Sequence, residues 1–306
     1  MKIYLQSGFL NEESISKIKD SFPNIVFTHD KDDTSVKVAI TFPNYVTKER
    51  IKKNNKLKWI QFLSAGFDTV DVDILQNTNI IFTNAKDIYS ITIAEDVIGR
   101  MLMINRNVKK YLQNMKEKVW KKYNDEVELY GSTVGIVGVG SIGKEIAKRL
   151  EPFNVNVIGY RRRYEQEPYF NDIYIGKEGL ENLLKQSDYI ILALPLNKES
   201  YHLINAKTLK LMKPNAVLIN IARGEIINQE DLIVALENNW IRAASLDVAV
   251  PEPLPSDNKL WTLDNVYITP HNSLSSPNIS MRLAELICEN IQNFISGNRL
   301  INMITL

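Results

Sequence analysis

Cysteine is nearly absent from the chain: Cys288 is the single one in 306 residues. That excludes a disulfide framework and a cysteine-based zinc site, and it fits a reducing, cytoplasmic compartment. Net charge is nearly absent too, since 37 Lys plus Arg stand against 36 Asp plus Glu. A formal +1 leaves no electrostatic footprint for nucleic acid or an anionic membrane surface. Long hydrophobic runs are missing. The most apolar stretch, 189–196, falls far short of the roughly 20 residues a membrane span needs, and it contains Pro195. Residues 1–8 hold no basic region followed by an apolar secretory core. Histidine is scarce as well, with only His29, His202 and His271. What remains is an ordinary globular composition, 44% hydrophobic and 24% charged, at a length that predicts two domains.

The first hundred residues alternate short β-rich runs with polar helical stretches. Residues 36–41, 57–63 and 79–83 read as strands, with a helix over 46–53 between the first two. A longer helical pattern spans about 90–113, with Ile93, Val97, Met101 and Ile104 three or four apart. Its apolar middle places it at a domain or subunit junction. From Thr133 the rhythm is regular: strands over 133–138, 156–160, 188–194, 216–221, 243–248 and 266–269, and helices over 141–150, 205–212 and 229–239. That alternation predicts an α/β domain over 100–275, built on a doubly wound parallel sheet. The last helix, about 277–297, has no strand of its own to cover. It is expected to pack back on the first domain, which then comprises 1–99 and 276–306.

Gly138, Gly140 and Gly143 form a G-x-G-x-x-G pattern after an apolar strand and before a helix. The first glycine permits the tight turn, the second lets backbone approach a pyrophosphate, and the third lets helix and strand pack closely. The helix start at Ser141 and Ile142 then presents free N–H groups and a partial positive charge to phosphates. An NAD site wants an acidic residue about 20 residues past the loop, for the ribose 2′-hydroxyl. Here the second strand runs into Arg161, Arg162 and Arg163, and no carboxylate follows until Glu165. Guanidinium groups at that place suit a 2′-phosphate. The pattern points to NADP(H), with NAD(H) as the alternative; the competing reading of the run is a solvated basic turn.

His271 directly follows the last strand, while Arg223 and the segment from Asp247 to Glu252 follow two others. In an open α/β sheet ligands bind outside the carboxyl ends of the strands. One Arg, one Glu and one His are therefore expected to face one crevice. Reduction of a 2-keto acid needs such a set. A fork-shaped cation holds the carboxylate, an acid protonates the carbonyl oxygen, and a carboxylate favours the charged form of that acid. Each also has a structural reading: a loop arginine, a solvated turn glutamate between prolines, a satisfied buried histidine.

In these residues the chain resembles the D-isomer-specific 2-hydroxyacid dehydrogenase family over essentially its whole length. The resemblance rests on the glycine loop, Ala193-Leu194-Pro195-Leu196, Met212-Lys213-Pro214, Asn220-Ile221-Ala222-Arg223-Gly224, Leu246-Asp247-Val248, Glu252-Pro253-Leu254-Pro255 and Thr269-Pro270-His271, in the family's order. It implies a dinucleotide-binding Rossmann domain and a smaller flavodoxin-like α/β substrate domain. It implies Arg223 as the substrate-carboxylate residue, Glu252 as the partner of the histidine, and His271 as the acid/base. Cofactor contacts are implied for Leu194, Pro195 and Asp247. The loop of Ser64, Ala65 and Gly66 resembles the family's substrate loop, whose backbone N–H groups meet the carboxylate. The implied activity is reversible NADPH-dependent reduction of a small 2-keto acid, glyoxylate- or hydroxypyruvate-like, to the D-2-hydroxy acid. The enzyme is expected to be a homodimer that uses no metal.

Five positions depart from the family pattern. Arg161 replaces the usual acidic residue, and Asn272 and Ser273 replace small residues after the histidine. Ala249 stands where an aromatic is common, and Asp96 where a histidine often follows Ala-Glu. These bear on the substrate rather than the reaction. Two other readings stand beside the reductase. A phosphoglycerate-type dehydrogenase is disfavoured by the short stretch after His271 and by the lack of a further cationic subsite. A dinucleotide-sensing interaction protein is disfavoured by the intact Arg223, Glu252 and His271 set. Cys288 reads as an inert core thiol, Trp120 and Tyr89 as core aromatics, and 48–58 as a solvated helix face.

Overall fold

Apolar, mostly β-branched or aromatic runs supply the strands of the first unit, which comprises Met1–Tyr89 and the segment from Ser275. The structure, a computed structural model, describes residues 1–305. Strands β1 (Lys2–Leu5), β2 (Val26–Thr28), β3 (Val38–Thr41), β4 (Trp59–Phe62) and β5 (Ile81–Thr83) pair in parallel, in the order β2-β1-β3-β4-β5. That is the flavodoxin-like winding. β3 and β4 are buried throughout, as strands of a parallel sheet covered on both faces must be. Three helices, α1 (Glu12–Ser21), α2 (Lys48–Lys53) and α3 (Val72–Gln76), connect them. α2 buries none of its residues, in keeping with a solvated face.

The C-terminal helix, Ile279–Ser296, belongs to this unit and packs on α1. Leu283, Ile287 and Ile291 are its buried stripe, and Lys17 Nζ meets Glu285 at 3.1 Å. A buried polar chain ties the helix to the sheet. Trp59 Nε1 donates to Thr83 Oγ1 at 2.8 Å, and both Thr83 Oγ1 and Asn290 Nδ2 donate to Gln61 Oε1, at 2.8 and 2.9 Å. Cys288 is half-buried on this helix, and burial pushes its thiol up.

The second unit, Ser90–Leu274, begins with α4 (Ser90–Asn105) and α5 (Val108–Glu117). The sequence pattern predicts one helix here. The structure breaks it at Asn107, which takes the left-handed conformation with φ 53°, a region asparagine tolerates. The chain divides between Tyr89 and Ser90, so the expected boundary at 99/100 falls inside α4. An unbroken helix is one rigid element and stays whole.

Seven parallel strands follow: β6 (Thr133–Val137), β7 (Asn156–Tyr160), β8 (Asp172–Tyr174), β9 (Tyr189–Leu192), β10 (Val217–Asn220), β11 (Ala243–Leu246) and β12 (Val266–Ile268). Helices α6 (Ser141–Leu150), α7 (Gly176–Gln186), α8 (Ala206–Leu209) and α9 (Gln229–Glu237) alternate with them. The order β12-β11-β10-β9-β6-β7-β8 is that of a doubly wound Rossmann sheet. Its winding reverses between β6 and β9, which places a crevice at the carboxyl ends of those two strands. β9 and β10 are buried throughout and pack with Leu183, Leu184, Ile226 and Leu232.

Trp120 is 98% exposed, contrary to the expectation of a core aromatic. The stretch that follows α5 is irregular and gives the indole no cover. Tyr89 is buried, its hydroxyl donating to the Leu63 carbonyl. No helix among the described residues is long and apolar enough to cross a membrane.

Candidate active site

The β6–α6 turn holds two glycines where a Cβ has no room, Gly138 and Gly143. Gly138 has φ 113°, and a Cβ there would lie 2.5 Å from the Ala193 carbonyl oxygen. A Cβ on Gly143 would collide with the Gly138 carbonyl. Gly140, by contrast, would meet no protein atom within 4 Å. It caps α6 without a side-chain hydrogen bond, so the N–H groups of Ser141, Ile142 and Gly143 stand uncapped at the positive end of the helix.

Beside this turn lies a cavity of about 710 Å³, within the size range of small-molecule sites. Gly138, Gly140, Leu194, Pro195 and the three arginines Arg161, Arg162 and Arg163 line it. Arg162 and Arg163 are exposed. Arg161 carries two ion pairs, to Glu165 Oε2 and Glu167 Oε1, each at 2.9 Å. Glu167 is buried and also accepts from Lys144 Nζ at 2.6 Å. Lys144, and after it Arg161, hold the Glu167 carboxyl below its usual value against the effect of burial. Both terminal nitrogens of Arg161 thus meet carboxylates, of which Glu167 had no signal in the sequence.

Arg223 follows the end of β10. Asn220 shapes its turn, donating from Nδ2 to the Arg223 carbonyl at 2.8 Å and accepting from the Ala222 N–H at 3.0 Å. A Cβ on Gly224 would collide with the Ala249 carbonyl, so a glycine there seats this turn against the loop after β11. That loop carries Glu252. Its Oε1 accepts from the Ala249 N–H at 3.2 Å, and its Oε2 lies 2.8 Å from His271 Nδ1. Both side chains of the dyad are open to solvent. With Nδ1 donating to the carboxylate, Nε2 is the ring atom left to exchange a proton.

Asp247 lies at the end of β11 and is 1% exposed. Its carboxylate accepts from Arg100 Nη2, Thr269 Oγ1 and the N–H groups of Asn272 and Ser273. Burial pushes this carboxyl up, but the hydrogen bonds from Thr269, Ser273 and Asn272 outweigh it and hold it below the usual range. A nicotinamide contact of the kind the family resemblance implies would fall to a group already carrying four hydrogen bonds. Arg100 is a functional candidate that sequence reading missed. Its one visible signal is a cation within the apolar stripe of α4.

The Ser64, Ala65 and Gly66 loop belongs to the first unit and follows β4. There Ser64 Oγ donates to the Gly66 carbonyl at 2.7 Å, and Asn84 Nδ2 donates to the Ala65 carbonyl at 2.8 Å. His29 Nδ1 lies 2.7 Å from the Leu5 carbonyl, and His202 stacks on Tyr201 at 4.0 Å.

A sequence profile of the D-isomer specific 2-hydroxyacid dehydrogenase NAD binding domain matches residues 98–273. The D-3-phosphoglycerate dehydrogenase of Methanocaldococcus jannaschii is 34% identical over 312 residues, covering 100% of this chain and 56% of the relative. The chain therefore spans little more than half the length of that protein. The glyoxylate reductase of Pyrococcus horikoshii is 35% identical over 260 residues, 82% of this chain and 77% of the relative. A solved acyclic imino acid reductase in complex with NADPH and D-Arg has a TM-score of 0.87 at 27% identity, covering 100% of both chains.

Proposed function

The chain belongs to the D-isomer-specific 2-hydroxyacid dehydrogenase family, and from that premise we propose that it reduces a small 2-keto acid, glyoxylate- or hydroxypyruvate-like, to the D-2-hydroxy acid with NADPH, reversibly. The 2.8 Å contact between His271 Nδ1 and Glu252 Oε2 carries this reading, because it equips an exposed imidazole for proton transfer.

In this reading Arg223 holds the substrate carboxylate in two hydrogen bonds and polarises the adjacent carbonyl. His271 donates the proton to the carbonyl oxygen from Nε2, and Glu252 fixes the orientation of the ring. For Ser64, Ala65 and Gly66 we propose backbone N–H contacts to the same carboxylate. The residues present suit a nicotinamide dinucleotide. The uncapped N–H groups at Ser141, Ile142 and Gly143 would hold the pyrophosphate, and the Gly138–Gly140 turn would let it approach. Leu194, Pro195 and Asp247 would flank the remainder. The cofactor, when bound, supplies the hydride. Arg161, Arg162 and Arg163 favour a 2′-phosphate, and the presence of NADPH in the imino acid reductase structure agrees with that preference. No metal enters the scheme.

The glyoxylate reductase name of the Pyrococcus relative supports a small substrate. The phosphoglycerate dehydrogenase relative supports a second reading, in which the keto acid bears a phosphate. Leu112, Met115 and Trp120, exposed and close together in the chain, support a homodimer, since exposed apolar surface marks association sites. The single cysteine fits a cytoplasmic setting. Oxidation of NADPH and NADH, followed in parallel with glyoxylate, hydroxypyruvate, pyruvate and phosphohydroxypyruvate, separates these readings. Fast NADPH oxidation with a small acid supports the proposal. Tight NADPH binding without turnover on any of them contradicts it.

A further inference from the structure

His271 occupies the left-handed region, with φ 50°. A histidine stays there only where its surroundings determine it. Its N–H is shared between the carbonyls of Asp247 and Thr269, at 2.7 and 3.0 Å. The next two N–H groups, of Asn272 and Ser273, donate to the Asp247 carboxylate at 3.0 and 3.1 Å. The turn that presents the imidazole is therefore tied to one carboxylate.

That carboxylate is itself placed by a side chain from α4. Arg100 Nη2 donates to Asp247 Oδ1 at 3.1 Å and to Thr269 Oγ1 at 2.6 Å. Its Nη1 donates to Ser245 Oγ at 3.2 Å, and its Nε to Asp96 Oδ2 at 2.5 Å. Thr269 Oγ1 closes the triangle by donating to Asp247 Oδ1 at 2.5 Å. The arginine is 6% exposed. Its planar fork meets four acceptors at fixed angles, a set that a lysine ammonium cannot reproduce.

We propose that Arg100 is a positioning residue for His271: it fixes the Asp247 carboxylate and the Thr269 hydroxyl, and through them the turn that aims the imidazole. The inference rests on the reading of His271 as the proton donor. Arg100 touches no reacting atom. Asp96 and Asp247 flank the guanidinium with two carboxylates, which accounts for an acid where the family often has a histidine. It also accounts for a cation among Ile93, Val97, Met101 and Ile104.

The test uses Arg100→Lys and Thr269→Val in the full chain, with two readouts. Hydrogen exchange should be at least tenfold faster at 271–273 in each variant, with the protection of β10 unchanged. NADPH should bind with full stoichiometry and within twofold of its original Kd. The kcat for the keto acid should then fall tenfold or more, and the isotope effect with hydride-deuterated NADPH should rise. A merely structural arginine would instead lower kcat only in step with the loss of NADPH sites, and that result overturns the proposal. Unchanged exchange at 271–273 overturns it too, as does full kcat in a variant whose turn has loosened. Should Arg100→Lys fail to fold, Thr269→Val decides alone. An original enzyme inactive on every keto acid would contradict the proposed reaction, and the exchange measurement would still decide whether Arg100 anchors the turn.

Discussion

His271 Nδ1 and Glu252 Oε2 lie 2.8 Å apart, on loops that follow two adjacent strands, β12 and β11. They are 19 residues apart in the chain and meet because the parallel sheet sets both strand ends side by side. General acid catalysis contributes typically about 10²–10⁴-fold. Substitution His271→Ala should lower kcat by that order and leave NADPH binding intact, as fluorescence titration of the cofactor would report. Glu252→Gln should cost less, because the amide still accepts a hydrogen bond but carries no charge.

Arg161 bears on cofactor choice. A hydrogen bond to a charged group is worth about 1.5–3 kcal/mol, or roughly 10- to 100-fold in affinity. Arg161→Asp should weaken NADPH by that factor and NADH far less, measured as Kd for each. Equal losses would mean that Arg161 serves Glu165 and Glu167 only, and that a 2′-phosphate is not recognised there.

The pH dependence of stability follows from Asp247. Its carboxyl titrates below the ordinary value in the folded chain, because hydrogen bonds to the ionised form outweigh burial. Such a group stabilises the fold fully above the unfolded value of about 3.9, and the contribution is lost as pH falls through the lower folded value. Asp247→Asn leaves the buried Arg100 with Asp96 as its one remaining carboxylate partner and should cost about 2 kcal/mol at pH 7. Thermal melting should show that difference shrinking below about pH 4.

Gly138 tests the nucleotide turn. Its φ of 113° and the nearby Ala193 carbonyl leave no room for a methyl group. Gly138→Ala should abolish NADPH binding by calorimetry and lower the Tm. Gly140→Ala meets no protein atom, so it should retain the Tm and lose only cofactor affinity.

Much of the second sheet was legible. The expected bounds of α6 and β7 agree residue for residue, because the glycine loop marks where the helix must start. β2 and β8 were not expected; each is a three-residue edge strand with too few side chains to show a period. α7 starts after Ile175 with no capping side chain, so it has no start signal. The break at Asn107 was hidden because both helices keep an apolar stripe. At the site, Arg223, Glu252 and His271 were visible as strand-end residues. Arg100 was not, since Ser245, Asp247 and Thr269 lie 145 to 169 residues away and only the folded sheet brings them to it.

The most direct test of the central claim is the loss of NADPH absorbance with glyoxylate or hydroxypyruvate, for the original chain and for His271→Ala side by side. The account predicts rapid oxidation by the former, and a loss of at least a hundredfold in the variant with NADPH still bound. Retained turnover in His271→Ala, or NADPH bound but never oxidised by the original chain, would contradict it.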